Sequence, residues 1–214
     1  MPEQLATMLR VFLIAAGSYL LGSIPFGYLL VRIVRGEDVR QSGSGNIGAT
    51  NVSRKSPVLG VLTLLLDALK GSAAVALAYY LSGRSGTGTF PYRAMSLAAL
   101  FAIVGHMFPI WLRFRGGKGV ATALGSFVVI APQAVLLCAI IFAVVALLFR
   151  YVSLASILAV AAFPFIAWFL HPYGKAWLAL AFMSLASLLI VAKHHENIRR
   201  LFAGTENRFG SRPA

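Results

Sequence analysis

Three polar segments interrupt an otherwise apolar chain, and each gathers side chains suited to holding an anion. The first, residues 41–54, reads QSGSGNIGATNVSR. Gly43, Gly45 and Gly48 have G-x-G-x-x-G spacing, and glycines at this density let backbone N–H groups converge on an anion. Ser44, Asn46, Thr50 and Asn51 add neutral donors, and Arg54 adds a rigid fork that matches phosphate. A dinucleotide site would need a preceding strand and a βαβ unit. No strand precedes these glycines, and Asp67, the acid near the expected distance, lies inside an apolar run.

The second segment, residues 105–122, reads GHMFPIWLRFRGGKGVAT. Gly116, Gly117 and Gly119 flank Lys118, and a helix is expected to follow, so its free N–H groups would favour an anion. It is not a Walker A loop, since Leu112 stands where that loop has its first glycine and Gly119 where it has Ser or Thr. The third, residues 193–208, reads KHHENIRRLFAGTENR. Helical spacing gives it a polar face with His194 and Asn197, while Ile198, Leu201 and Phe202 suit a membrane surface. The plainer readings are a flexible loop, a turn with topogenic charge and a basic interfacial helix. They account for Arg113, Arg115, Arg199, Arg208 and Arg212, but not for the glycines packed around Ser44 and Lys118.

The elements that position these segments span a membrane. The 214 residues are 59% hydrophobic and only 12% charged, with mean hydropathy +0.82. Soluble domains carry about 25% charge. The composition excludes a disordered chain, a disulfide scaffold and an ordinary soluble domain; Cys138 stands alone and reads as a small core residue. The fold class expected is all-α: a single domain over residues 1–214 with about seven transmembrane helices, at 9–32, 57–81, 93–112, 119–131, 133–149, 152–170 and 176–192. The fourth is short, and the fifth follows it so closely that the two could form one broken hairpin. The first lacks a basic start and a small-residue cleavage site, so it reads as a retained span. Seven spans put 14 of the 19 Lys and Arg on one side, among them Arg54, Lys118 and Arg200, against Arg10, Arg84, Arg93 and Lys175 on the other. The positive-inside rule then places the N-terminus outside and the C-terminus in the cytoplasm, with all three polar segments on the cytoplasmic face. The net charge of +13 points to anionic lipid and anionic substrates, not nucleic acid.

Other chemistries lack their residues. His106, His171, His194 and His195 have no Cys or acid at metal spacing, and six scattered acids make a two-metal site improbable. The acid-rich motif of CDP-alcohol phosphotransferases and the His-x4-Asp motif of acyl-CoA-dependent acyltransferases are absent. Asp67 and Lys70, one turn apart in a span, read as an ion pair in preference to a proton relay.

The three segments together resemble the PlsY family, the acyl-phosphate:glycerol-3-phosphate acyltransferases of bacterial inner membranes. GSGNIGATN at 43–51 with Arg54, GH…P…F.GGKGVAT at 105–122 and H..NI.RL..G.E at 194–206 carry the resemblance, and D..KG at 67–71 fits it. The resemblance implies transfer of a fatty acyl group from acyl phosphate to glycerol 3-phosphate. The products would be lysophosphatidate and inorganic phosphate, with no cofactor, no metal and no obligate protein partner.

Roles follow from the same resemblance. Ser44 with the Gly43–Gly48 backbone, including Gly45 and Asn46, would hold the donor phosphate, with Thr50 and Asn51 completing the pocket. Arg54 and Lys118, with Gly116, Gly117 and Gly119, would bind glycerol 3-phosphate. His194 and Asn197 would orient acceptor or donor, Arg200 would neutralise phosphate, Ser153 would add a contact, and Glu206 would brace the fold. The general base is either His194 or the donor phosphate, and the resemblance favours the latter. Two other classes compete: a midplane anion transporter through Asp67, Lys70 and His106, and a non-catalytic lipid-binding subunit. Polar density at one face and the absence of a repeat argue against the first; the glycine-rich loops argue against the second.

Overall fold

The computed structural model describes residues 3–82, 90–170, 176–208 and 210, so the expectations placed on Arg84, His171, Lys175 and Arg212 fall outside it. The described residues form helices and no strand. α1 (Glu3–Gly22) and α2 (Phe26–Arg35) are followed by a short α3 (Ala49–Lys55), then α4 (Pro57–Leu81) and α5 (Phe90–Met107). α6 (Val120–Ile130), α7 (Pro132–Phe149), α8 (Val152–Leu170), α9 (Trp177–Ala192) and α10 (His195–Phe202) complete the chain.

Among the described residues, five stretches are long and apolar enough to cross a membrane: Gln4–Arg35, Pro57–Leu81, Phe90–Leu112, Pro132–Phe149 and Val152–Leu170. α9 and α10, bent by 51° to each other, count as a sixth only when the bent pair is taken as one span. The segment expected at 119–131 is the 11-residue α6, which at about 1.5 Å per residue reaches only roughly half of a ~30 Å hydrocarbon core. The expected first span also differs: it is interrupted at residues 23–25 and resumes as α2. Pro25 disfavours helical backbone at Ile24, and Gly36 in the left-handed conformation (φ 68°) ends α2.

Glycines let the helices approach closely. A Cβ on Gly22 would come 2.1 Å from the Ala102 carbonyl oxygen, and one on Gly105 would come 2.2 Å from that of Tyr19, so α1 and α5 touch backbone to backbone. Gly71 against Thr122 and Gly125 against Ala68 do the same for α4 and α6. Small residues serve this purpose in membranes, where apolar association alone gives little drive. Ile103, Met107, Phe127, Phe163, Met183 and Ile190 fill the core between α5, α6, α8 and α9. Leu147, Phe165 and Phe169 point outward at 70–82% exposure, as lipid-facing side chains do.

Candidate active site

The first polar segment is wound around Asn51. Its side chain is buried on α3, and its Nδ2 donates to the carbonyls of Val39 (3.2 Å), Ser42 (3.0 Å) and Asn46 (2.9 Å). Its Oδ1 accepts the Ser44 N–H at 2.9 Å. The loop can close this tightly because Gly43 and Gly45 have positive φ (57° and 67°). The Gly45 N–H goes to Ser42 O and the Gly48 N–H to Asn46 Oδ1. This reassigns Asn46, Asn51 and the glycines: they shape the loop, and the Ser44, Gly45 and Gly48 amides are already bonded within it. What remains open are side chains. Ser44 Oγ, Thr50 Oγ1 and the Arg54 guanidinium are exposed, with no hydrogen-bond partner among the described residues. Arg54 lies across Gly43, where a Cβ would come 3.1 Å from Nη1.

The second segment folds back onto the end of α5. Gly116 N–H donates to Met107 O and Gly117 N–H to His106 O. A Cβ on Gly116 would lie 2.2 Å from the His106 carbonyl oxygen, and one on Gly117 would lie 2.0 Å from His106 Nε2. These two glycines therefore serve close packing, not an anion nest. Arg113 and Phe114, both at positive φ (53° and 61°), turn the chain beforehand, and Gly119 (φ 87°) starts α6. Leu112 packs with Val31, Val39, Ile47, Val52 and Leu59, which seats the second segment against the first.

The third segment meets the second at Lys118. The Lys118 ammonium donates to Asn197 Oδ1. Asn197 Nδ2 donates to Glu206 Oε1 at 2.7 Å, and Ser153 Oγ donates to the same oxygen at 2.8 Å. Arg200 Nε donates to Glu206 Oε2 at 2.7 Å. Ser153, expected beside substrate, thus acts on Glu206. Burial pushes the Glu206 carboxyl up, but the bonds from Asn197, Arg200 and Ser153 outweigh it and hold the group below the ordinary carboxylate range. Burial pulls the Lys118 ammonium below the ordinary lysine range; Glu206 opposes this, while Arg200 and Arg54 add to it. Arg54, from the first segment, is thus close enough for Lys118 to feel its charge.

His194 is buried, and its Nδ1 lies 2.7 Å from Ile190 O. A carbonyl only accepts, so Nδ1 carries the proton and Nε2 keeps its lone pair. Burial, with the Lys118 charge, depresses this imidazole to about 4 although the bond to Ile190 opposes the shift. The ring is neutral at pH 7. Asp67, Lys70 and His106, grouped above only for the transporter alternative, do meet: His106 Nδ1 lies 3.0 Å from Lys70 Nζ, so the Asp67–Lys70 pair (2.8 Å) extends to the floor of the second segment. The adjacent Gly-His and Asp-x-x-Lys patterns were visible, but no spacing rule joins residues on different helices. No group of three metal-ligating side chains occurs among the described residues.

The comparisons agree in scope. A family model described as glycerol-3-phosphate acyltransferase matches residues 12–204. A glycerol-3-phosphate acyltransferase of Syntrophotalea carbinolica is 45% identical over 203 residues, covering 94% of this chain and 99% of the relative. One of Nitrobacter winogradskyi is 50% identical over 199 residues, covering 92% and 95%. The fold is similar to the crystal structure of PlsY, an integral membrane glycerol 3-phosphate acyltransferase, in its glycerol 3-phosphate form. That match has TM-score 0.84 and 37% identity, over 94% of this chain and 96% of the other. Its lysophosphatidic acid form matches with TM-score 0.80 and 35% identity, over 94% and 95%.

Proposed function

The chain belongs to the glycerol-3-phosphate acyltransferase family, and from that premise we propose that it acylates the 1-hydroxyl of glycerol 3-phosphate with acyl phosphate as donor. The observation that carries the reading is the bond from Lys118 to Asn197, with Arg54 within electrostatic range of Lys118. It gathers cations from separate segments at one end of the bundle, as a reaction between two phosphorylated substrates requires. The related PlsY is solved with glycerol 3-phosphate and with lysophosphatidic acid, which are one substrate and one product of this reaction.

In the reaction, the glycerol 1-hydroxyl oxygen attacks the acyl carbonyl carbon. The bond from that carbon to the phosphate oxygen breaks, and the hydroxyl proton passes to the departing phosphate. Lysophosphatidate and inorganic phosphate result, the first acylation step of phospholipid synthesis. A mixed anhydride has a good leaving group, so positioning and charge stabilisation supply the acceleration without a covalent enzyme intermediate. Ser44 and Thr50 hold the donor phosphate. Arg54 and Lys118 hold glycerol 3-phosphate, with the outward nitrogens of Arg200 adding charge. His194, depressed to about 4, retains a proton poorly at neutral pH; its Nε2 orients the hydroxyl, while the leaving phosphate, whose oxygen gains negative charge as its bond to the acyl carbon breaks, takes the proton. Asn197 fixes Lys118, and Glu206 fixes Asn197 and Arg200.

The same reading places the protein in a bacterial inner membrane with its N-terminus outside. The site then faces the cytoplasm, where glycerol 3-phosphate is met in solution and acyl phosphate in the lipid. Purified protein in a lipid mesophase, given palmitoyl phosphate and glycerol 3-phosphate with metal chelated, should release phosphate only when both substrates are present. Folded protein that releases none would overturn the reading.

A further inference from the structure

Lys70 lies on α4 and is 3% exposed. Its ammonium hydrogen-bonds Ile24 O at 2.7 Å and His106 Nδ1 at 3.0 Å, and Asp67 Oδ1 lies 2.8 Å away as its counter-charge.

The two neutral partners lead to the two phosphate-facing loops. Ile24 sits in the interruption between α1 and α2. Gly27, on the first turn of α2, lies so close to the first loop that a Cβ would come 2.0 Å from Ile47 O. His106 ends α5, accepts the Gly117 N–H through its carbonyl and presents its ring to the Gly117 Cα. His106 Nδ1 lies 3.0 Å from the Lys70 ammonium and 3.5 Å from Asp67 Oδ1; an ammonium has no lone pair, so at the shorter contact Nδ1 accepts from Lys70. The neutral ring then carries its proton on Nε2, the edge facing Gly117. His194, which also packs near Lys118, has the opposite tautomer.

We propose that Lys70, with Asp67 as its counter-charge and His106 as its contact to the Lys118 loop, is a positioning residue that sets the spacing between the Ser44 loop and the Lys118 loop. The inference rests on the acyl-transfer reading of that site. A purely structural ion pair would be replaceable by two neutral groups, because removing both buried charges together is often neutral whereas removing one is not. A positioning residue is not replaceable in that way, since a displacement of about 1 Å between reacting groups can cost a hundredfold in rate.

Lys70→Met alone is expected to lower Tm in detergent, because Asp67 is left without its partner. Asp67→Asn with Lys70→Met should recover most of that loss yet keep kcat/KM for glycerol 3-phosphate at least about tenfold below wild type. Wild-type kcat/KM in the folded double variant would overturn the proposal. A second readout requires no variant to fold: 15N spectra of wild-type protein labelled at histidine should show His106 protonated on Nε2 and His194 on Nδ1. A His106 proton on Nδ1 would equally overturn it. Absence of phosphate release from the wild type would defeat the acyl-transfer reading, and the spectra would still decide the arrangement around Lys70.

Discussion

The Lys118 ammonium donates to the Asn197 carboxamide oxygen, linking positions 79 residues apart. The same carboxamide donates to Glu206, so the orientation of one amide fixes which edge faces the cation and which faces the carboxylate. Lys118→Met should therefore cost at least about a hundredfold in kcat/KM, the scale of truncating one partner of a buried charged contact. Lys118→Arg should recover little, because a planar fork does not replace a point donor at this distance. Steady-state phosphate release measures both.

Ser44 and Asn51 lie in one loop but should fail differently. The Ser44 hydroxyl is exposed and has no partner among the described residues, so Ser44→Ala should leave Tm unchanged while lowering kcat by about 10²–10³, as loss of one transition-state donor does. Asn51→Ala removes four hydrogen bonds from a buried position and should cost on the order of 3 kcal/mol of stability. Thermal unfolding of the two variants side by side separates the roles.

His194 should make the protein sensitive to mild acid. Its folded value of about 4 lies below the ordinary 6.5, so the unfolded chain binds the proton more readily. The stabilisation is complete above pH 6.5 and is lost as pH falls through that value towards 4. A displacement of this size corresponds to on the order of 3 kcal/mol. His194→Gln should flatten stability between pH 6.5 and 4, as read by tryptophan fluorescence. If His194 gates activity, the acid limb of kcat/KM should lie near pH 4 and not near 6.5.

Glu206 contributes in a lower window. Its folded value is depressed by Asn197, Arg200 and Ser153, so its stabilisation is present above the ordinary carboxylate range and is lost as pH falls through the depressed value. Glu206→Gln should lower Tm at neutral pH and reduce the further loss below pH ~4.

Most helices were legible because apolar runs bounded by charge and proline leave little choice: the expected 57–81 and 152–170 coincide with α4 and α8. The interruption before α2 was legible in principle, since Pro25 stands in the middle of the expected first span. Hydropathy outweighed it because the residues on both sides are apolar. At the site, the residue types were readable and their partners were not. Asn51 reads as a donor for a ligand until the loop is seen folded around it, and Gly117 reads as part of an anion-binding loop until His106 is seen against it. Both roles depend on contacts made by helix packing, to which local periodicity is blind.

The link between Lys118 and Asn197 also bears on biogenesis. A chain emerging from the ribosome can insert α1 through α8 and present the Ser44 loop and Lys118 well before residue 197 has been synthesised. Until α10 arrives, Lys118 lacks the amide that orients it, and Ser153 lacks Glu206. The half-made protein is therefore expected to sit in the bilayer without consuming the acyl donor of the proposed reaction.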